Sequence, residues 1–208
     1  MIVADEPLAR VREVLRLPSP QRSGGMPLFD ALHARRSQRE FQDRELSLDI
    51  LSSLLWSAFG INRPDGHRTA PSARNCQEID IYAATKTGLY LLDPKEWTLN
   101  LVLAADIRTA TGMQDFVKAA PLNLVYVADV ARMEAPNRAE QRFYSALDAG
   151  YISQNAYLFC ASQRIGNGGS RVSGPQGARK SHEIAARPAR HRRADGWLSE
   201  ELRFSIGK

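Results

Sequence analysis

The sequence predicts an α+β domain, and three observations carry that prediction. LSLDILSSLLWSAFG (46–60) and residues 138–162 repeat apolar side chains at three-to-four spacing, the period of an amphipathic helix. EIDIYAAT (78–85), TGLYLLDPKEWTLNLVL (87–103) and PLNLVYVADV (121–130) alternate, or run apolar, over strand lengths. The order helices, strands, helix, strand, helix is that of an α+β fold, and 208 residues at 43% hydrophobic can bury one sizeable core.

Each element has a local reason. After the polar entry LPSPQRSGGMP, PLFDALHARRS (27–37) reads as a short helix with Pro27 in its first turn and Leu28, Ala31 and Leu32 on one face. In 46–60, Ser47 can cap the start, Ile50, Leu51, Leu54, Leu55, Ala58 and Phe59 form the apolar stripe, and Gly60 stops the helix. INRPDGHRTAPSARN (61–75) is a turn-rich loop without periodicity, long enough to suggest a site. The segment 87–103 is a hairpin with a proline in its turn, and ADIRTATGMQDFVKAA (105–120) is a short helix broken at Gly112. Residues 138–162 form a long helix with Phe143, Ala146, Leu147, Gly150, Tyr151, Gln154 and Leu158 on one stripe, where Ala and Gly would let another helix approach.

Composition excludes several functions. No apolar run reaches the roughly 18 residues of a membrane span, and the N-terminus lacks the pattern of a secretory signal, so the chain reads as cytoplasmic. Cys76 and Cys160 have no partner at metal-binding spacing, and His33 and His67 have none either, so no metal site is expected. The net charge of +5 is not spread over the chain. Residues 161–208 hold ten Lys and Arg against four acids, which leaves the body at −1.

Two stretches have the chemistry of a binding site. RRSQR (35–39) sets Arg35, Arg36, Ser37 and Arg39 close together, and guanidinium forks beside a hydroxyl suit a phosphate; complementing the helix dipole is the alternative reading. RTAPSARN (68–75) offers small side chains where something flat could approach the backbone, or is simply a loop. Asp148 and Gln154 on the long helix read either as a dimer seam or as solvated and packing residues.

Taken in order, the RRS-x-R helix end, LLWSAFGINRPDGHRTAPSARN, the EIDIY strand, GLYLLDP and DAGYISQNAYLFCAS resemble the nitroreductase family of flavin enzymes, in particular the branch of SagB-type dehydrogenases. The resemblance covers about residues 25–163. It implies a nitroreductase-like fold with a central antiparallel sheet flanked by helices. It also implies a homodimer that binds FMN at the subunit interface and passes hydride from NAD(P)H through flavin N5 to a small-molecule electron acceptor. Arg35, Arg36 and Ser37 match residues that hold the FMN phosphate and ribityl chain, and Arg39 matches a cation at the pyrimidine edge of the ring. Pro71, Ser72, Ala73 and Asn75 match residues that line the flavin from the partner subunit, and Gln114 is a further candidate at the flavin edge. No catalytic side chain is implied, because the flavin itself carries the hydride.

The resemblance breaks after residue 163. The family continues with a Glu-Gly-Leu type turn, a small helix and an apolar strand ending in Gly-Tyr-Pro, whereas this chain reads QRIGNGGSRVSGPQGARK, a composition expected to be disordered. Reading each codon from about Arg164 onward from its second base restores the family pattern. Arg164 to Ser170 permit Gly-Leu-Ala-Thr-Val-Val-Arg. Arg190 to Glu200 permit Val-Ile-Val-Gly-Gln-Thr-Val-Gly-Tyr-Pro-Lys, in which Trp197 before a leucine forces the glycine.

The expectation is therefore an N-terminal arm (1–26), a nitroreductase-like domain (27–163) and an out-of-frame basic tail (164–208). Loss of the family's last strand would leave a sheet edge open. The resulting reading is an FMN-dependent NAD(P)H oxidoreductase, with neither nucleic acid nor membrane as partner. The alternatives are a remnant lacking part of the flavin site and, third, a nucleic-acid binder acting through its tail.

Overall fold

A computed structural model describes residues 13–41, 45–135 and 137–165, and the backbone of 187–188 and 202–206. The rest of the predicted tail, with the codon-shift segments beyond Ile165, lies outside the described residues.

Helix α1 spans Leu28–Ala34 and α2 Leu48–Phe59. The hydroxyl of Ser47 accepts from the Ile50 N–H, capping α2 as its sequence position predicts. Gly60 ends the helix through close approach: a Cβ there would lie 2.3 Å from Cδ1 of Trp56. Of the expected stripe, Leu51, Leu54, Leu55, Ala58 and Phe59 are buried.

Strand β1 (Val14–Arg16) comes from the predicted arm, followed later by β2 (Ile79–Ala84), β3 (Leu89–Asp93), β4 (Thr98–Leu103) and β5 (Asn123–Ala128). Between β4 and β5 the expected broken helix is a 3-10 turn at Arg108–Thr111, an interruption at Gly112 and a single turn, α3 (Phe116–Ala119). Asn137 caps α4, which runs from Arg138 to Ser162 as predicted. In the C-terminal segment β6 (Arg187–Pro188) and β7 (Leu202–Ile206) are paired.

The sheet is antiparallel throughout, in the order β1-β4-β3-β2-β5-β7-β6. The edge of β5 that the sequence leaves open is paired with β7 over Leu124–Val127. Main-chain pairing needs no particular side chain, so an open edge accepts whatever extended segment reaches it. The described part of the arm is built into the domain: Leu15 and Leu17 are buried, and Trp97 Nε1 donates to the Pro18 carbonyl at 3.1 Å and to Ser52 Oγ at 2.9 Å.

The core lies on one face of the sheet. Ile79, Ile81 and Ala83 of β2, Tyr90 and Leu92 of β3 and Leu124, Tyr126 and Ala128 of β5 share one cluster with Leu51, Leu55 and Phe59 of α2 and Ala149, Ile152 and Ala156 of α4. Here the predicted α4 stripe is corrected. The face turned into the protomer is Ser145, Asp148, Ala149, Ile152, Ala156 and Cys160, whereas Phe143, Leu147 and Tyr151 point outward. Small residues bring α4 close to its neighbours, and the bulky apolar residues remain on its far side.

Candidate functional site

The RRSQR segment leaves the end of α1 in extended conformation. Arg35 is its C-cap, with the N–H bonded to the Ala31 carbonyl at 2.9 Å. Arg36 and Ser37 are exposed, and no described residue forms an ion pair with Arg35 or Arg36. Arg36 and Gln38 line a small crevice against Tyr157, Cys160, Ala161 and Ile165 at the end of α4. The Arg39 guanidinium lies 5.6 Å from the centre of the Phe116 ring, and Phe41 meets the same ring at 6.4 Å. That contact brings Arg39 to the segment holding Gln114, whose side chain is exposed and whose carbonyl accepts from Val117 N–H. The segment is held from below by the buried Asn123, whose amide donates to Thr111 Oγ1 and to the Val117 carbonyl, both at 2.9 Å.

Pro71, Ser72, Ala73 and Asn75 sit on a tightly folded loop. Arg74, Asn75 and Gln77 have φ of 53°, 55° and 49°, the left-handed region that costs a non-glycine residue about 1–2 kcal/mol. Side-chain bonds hold these turns: Ser72 Oγ accepts from Gln77 N–H at 3.0 Å, and Asn75 Oδ1 from Gln77 Nε2 at 3.0 Å. Pro71 is exposed. Helix α4 ties the loop down twice, through Asp148 Oδ2, which accepts from Ala73 N–H at 2.8 Å, and Asn155 Nδ2, which donates to the Thr69 carbonyl at 3.2 Å.

The two groups therefore meet α4 at different levels. Asp148 and Cys160 are separated by about 18 Å of helix at about 1.5 Å per residue, and the Arg36 crevice includes none of Pro71, Ser72, Ala73, Asn75 or Gln114. Among the described residues, neither this crevice nor the one beside Arg68 and Arg132 contains both groups.

Sequence reading missed how the loop is anchored. Asp148 is neither solvated nor on an outer seam: it is 1% exposed, and beside it Glu78, at the head of β2, is fully buried. Burial raises the Glu78 carboxyl to about 7, with the neighbouring Asp148 charge pushing the same way, and burial raises Asp148 as well. The available signal was an acid in register with Ser145, Ala149 and Ile152, a spacing that places it on the inner face of α4. Among the described residues no group of His, Cys, Asp and Glu could hold a metal, and no helix is long and apolar enough to cross a membrane.

The fold and sequence were compared with known proteins. The family model described as "Nitroreductase family" matches residues 32–179, running past residue 163. A crystal structure of a protein described as a nitroreductase from Ralstonia eutropha is 45% identical, with 78% of this chain and 79% of that one covered and a TM-score of 0.70. A protein named as a nitroreductase from Methanocaldococcus jannaschii is 28% identical over 67% of this chain and 75% of its own length. An Anabaena variabilis structure, 21% identical over 72% of this chain and 34% of its own, shares the fold at a TM-score of 0.59. With the family match covering most of the described domain, and a 45% identical relative sharing its fold, this chain belongs to the nitroreductase family.

Proposed function

We propose that the protein is an FMN-dependent NAD(P)H oxidoreductase, built as a homodimer, of the SagB-type dehydrogenase branch. The observation that carries this reading is the exposed Arg36 and Ser37, without an ion-pair partner among the described residues, beside Arg35 at the end of α1, in a chain of this family. The residues present fit the cofactor: fixed cations and a hydroxyl are free to take a phosphate, and Arg39 lies over an aromatic ring at the rim. When bound, FMN supplies the hydride acceptor and donor. Arg35 and Arg36 neutralise the phosphate, Ser37 donates to it, and Arg39 sets a cation toward the pyrimidine edge, where negative charge accumulates on reduction. Pro71, Ser72, Ala73 and Asn75 cover the ring from the second subunit, with Gln114 at its edge.

The outward face supports the dimer. Phe29 is 84% exposed and Phe143 64%, and Leu28, Leu32, Leu147 and Tyr151 are exposed on the same two helices, α1 and α4. So much apolar surface on two packed helices supports a contact with a second copy.

A second reading, a remnant with an out-of-frame tail from about residue 164, is favoured by one feature. Arg164 has φ of 54° at the position after the α4 cap, where glycine is the ordinary residue and where the shifted codon supplies it. Expressing this chain beside a version with one base deleted near codon 163 separates the readings. Equal bound FMN in both supports a working enzyme, FMN only in the corrected version supports the remnant, and FMN in neither rejects the cofactor assignment.

A further inference from the structure

The Pro71–Asn75 loop has an anchor that no recognition motif requires. Its central amide, Ala73 N–H, is bound by a buried carboxylate 75 positions away, and beside that carboxylate lies a second buried one, Glu78, whose two oxygens have no hydrogen-bond partner among the described residues. Two buried carboxyl groups side by side cannot both ionise cheaply, and burial with the neighbouring Asp148 charge raises Glu78.

The surroundings offer little compensation. Arg132, on the turn after β5, donates to the Glu78 main-chain carbonyl at 3.1 Å while its own charge is paired with Asp80 at 2.7 Å and Asp129 at 3.2 Å. Arg74, on the loop itself, reaches away to the Glu134 carbonyl. On α4 the buried Ser145, one turn before Asp148, donates to Met133 Sδ. Among the described residues no cation forms an ion pair with Glu78 or Asp148.

We propose that Asp148 is a positioning residue for the cofactor loop and that it works as half of a proton-sharing latch with Glu78. With one proton on the pair, Glu78 O–H donates to Asp148, and Asp148 keeps a full acceptor for Ala73 N–H. When the proton leaves to solvent, two buried carboxylates repel each other, Asp148 is driven off, and the loop loses its central tie. The inference rests on the flavin reading above, which makes this loop a wall of the site, and it adds a pH-dependent control on that wall.

The test compares the full chain with its Glu78→Gln and Asp148→Ala variants. In E78Q the side-chain amide keeps a permanent donor toward Asp148 and imitates the protonated pair. Two quantities are measured between pH 6 and 9: FMN affinity by fluorescence quenching, and hydrogen exchange of the Ala73 amide in the cofactor-free protein, corrected for intrinsic base catalysis. In the parent chain both FMN affinity and Ala73 protection fall as pH rises. In E78Q they stay level, and in D148A both are lost at every pH, by about tenfold or more for a hydrogen bond to a charged acceptor. Should D148A fail to fold, E78Q still decides, because parallel pH profiles for E78Q and its parent in Ala73 exchange overturn the latch. A chain that never binds FMN but shows the exchange behaviour keeps the latch and rejects the proposed function. FMN binding with an Ala73 amide indifferent to both substitutions does the reverse.

Discussion

The Ile165 N–H donates to the Cys160 carbonyl at 3.0 Å, and with Arg164 N–H bound to the Ala161 carbonyl at 3.2 Å it closes α4 in a Schellman turn. The turn needs a left-handed residue between the helix and Ile165, and Arg164 occupies that position with φ of 54°. Arg164→Gly should stabilise the domain by about 1 kcal/mol, since the steric cost of a Cβ in that conformation disappears. Equilibrium urea unfolding checks it; no gain would mean that the turn relaxes in solution.

The buried carboxyl pair predicts the direction of pH-dependent stability. Glu78 is raised in the folded state from its ordinary value of 4.5 to about 7, so the folded protein holds a proton that the unfolded chain gives up. This contribution is therefore fully present below about 4.5 and is lost as pH rises through about 7, at no more than about 1.4 kcal/mol per unit. Asp65 and Asp106 are lowered by their His67 and Arg108 partners, and their contributions are lost only at more acid pH. Denaturation at pH 5 and pH 8 should show the wild type weaker at 8, with the difference much reduced in E78Q.

The outer face of α4 predicts assembly. Phe143→Glu, at a position 64% exposed in the protomer, should leave thermal stability of the monomer within about 0.5 kcal/mol and shift the protein from dimer to monomer in light scattering. A dimer of unchanged mass would place the interface elsewhere.

Asn123 predicts how the Gln114 segment is held. Its side-chain amide closes two 2.9 Å bonds from a fully buried position, so Asn123→Ala leaves a buried carbonyl and a hydroxyl short of their donor. The expected cost is about 2 kcal/mol by the penalty for unsatisfied buried groups. Faster amide exchange across 111–120 should accompany the lower Tm.

Much of the fold was legible because local signals and packing agree. Ser47 and Gly60 bracket α2, Gly112 interrupts the segment before β5, and the long helix begins at Arg138 and ends at Ser162 in the structure as in the sequence reading. The α4 faces were not legible. Phe143, Leu147 and Tyr151 form as convincing an apolar stripe as Ala149, Ile152 and Ala156, and periodicity cannot say which of two such stripes packs within the chain. The loop anchor was hidden for a different reason: Asp148 and Ala73 are 75 positions apart, and an acid on a helix is usually solvated. For RRSQR, composition could suggest a phosphate site but not place it, and the structure adds that Arg36 and Ser37 are exposed at the end of α1.

The most direct test of the central claim is anaerobic titration of the purified full chain with FMN, followed by NADH or NADPH. The account predicts saturable binding, weakened about tenfold or more in Arg36→Ala through loss of a charge-assisted bond to the phosphate. It also predicts bleaching of the bound flavin's visible absorbance on adding the nicotinamide. Flavin that binds equally well to the variant, or that stays oxidised with both nicotinamides, would contradict it.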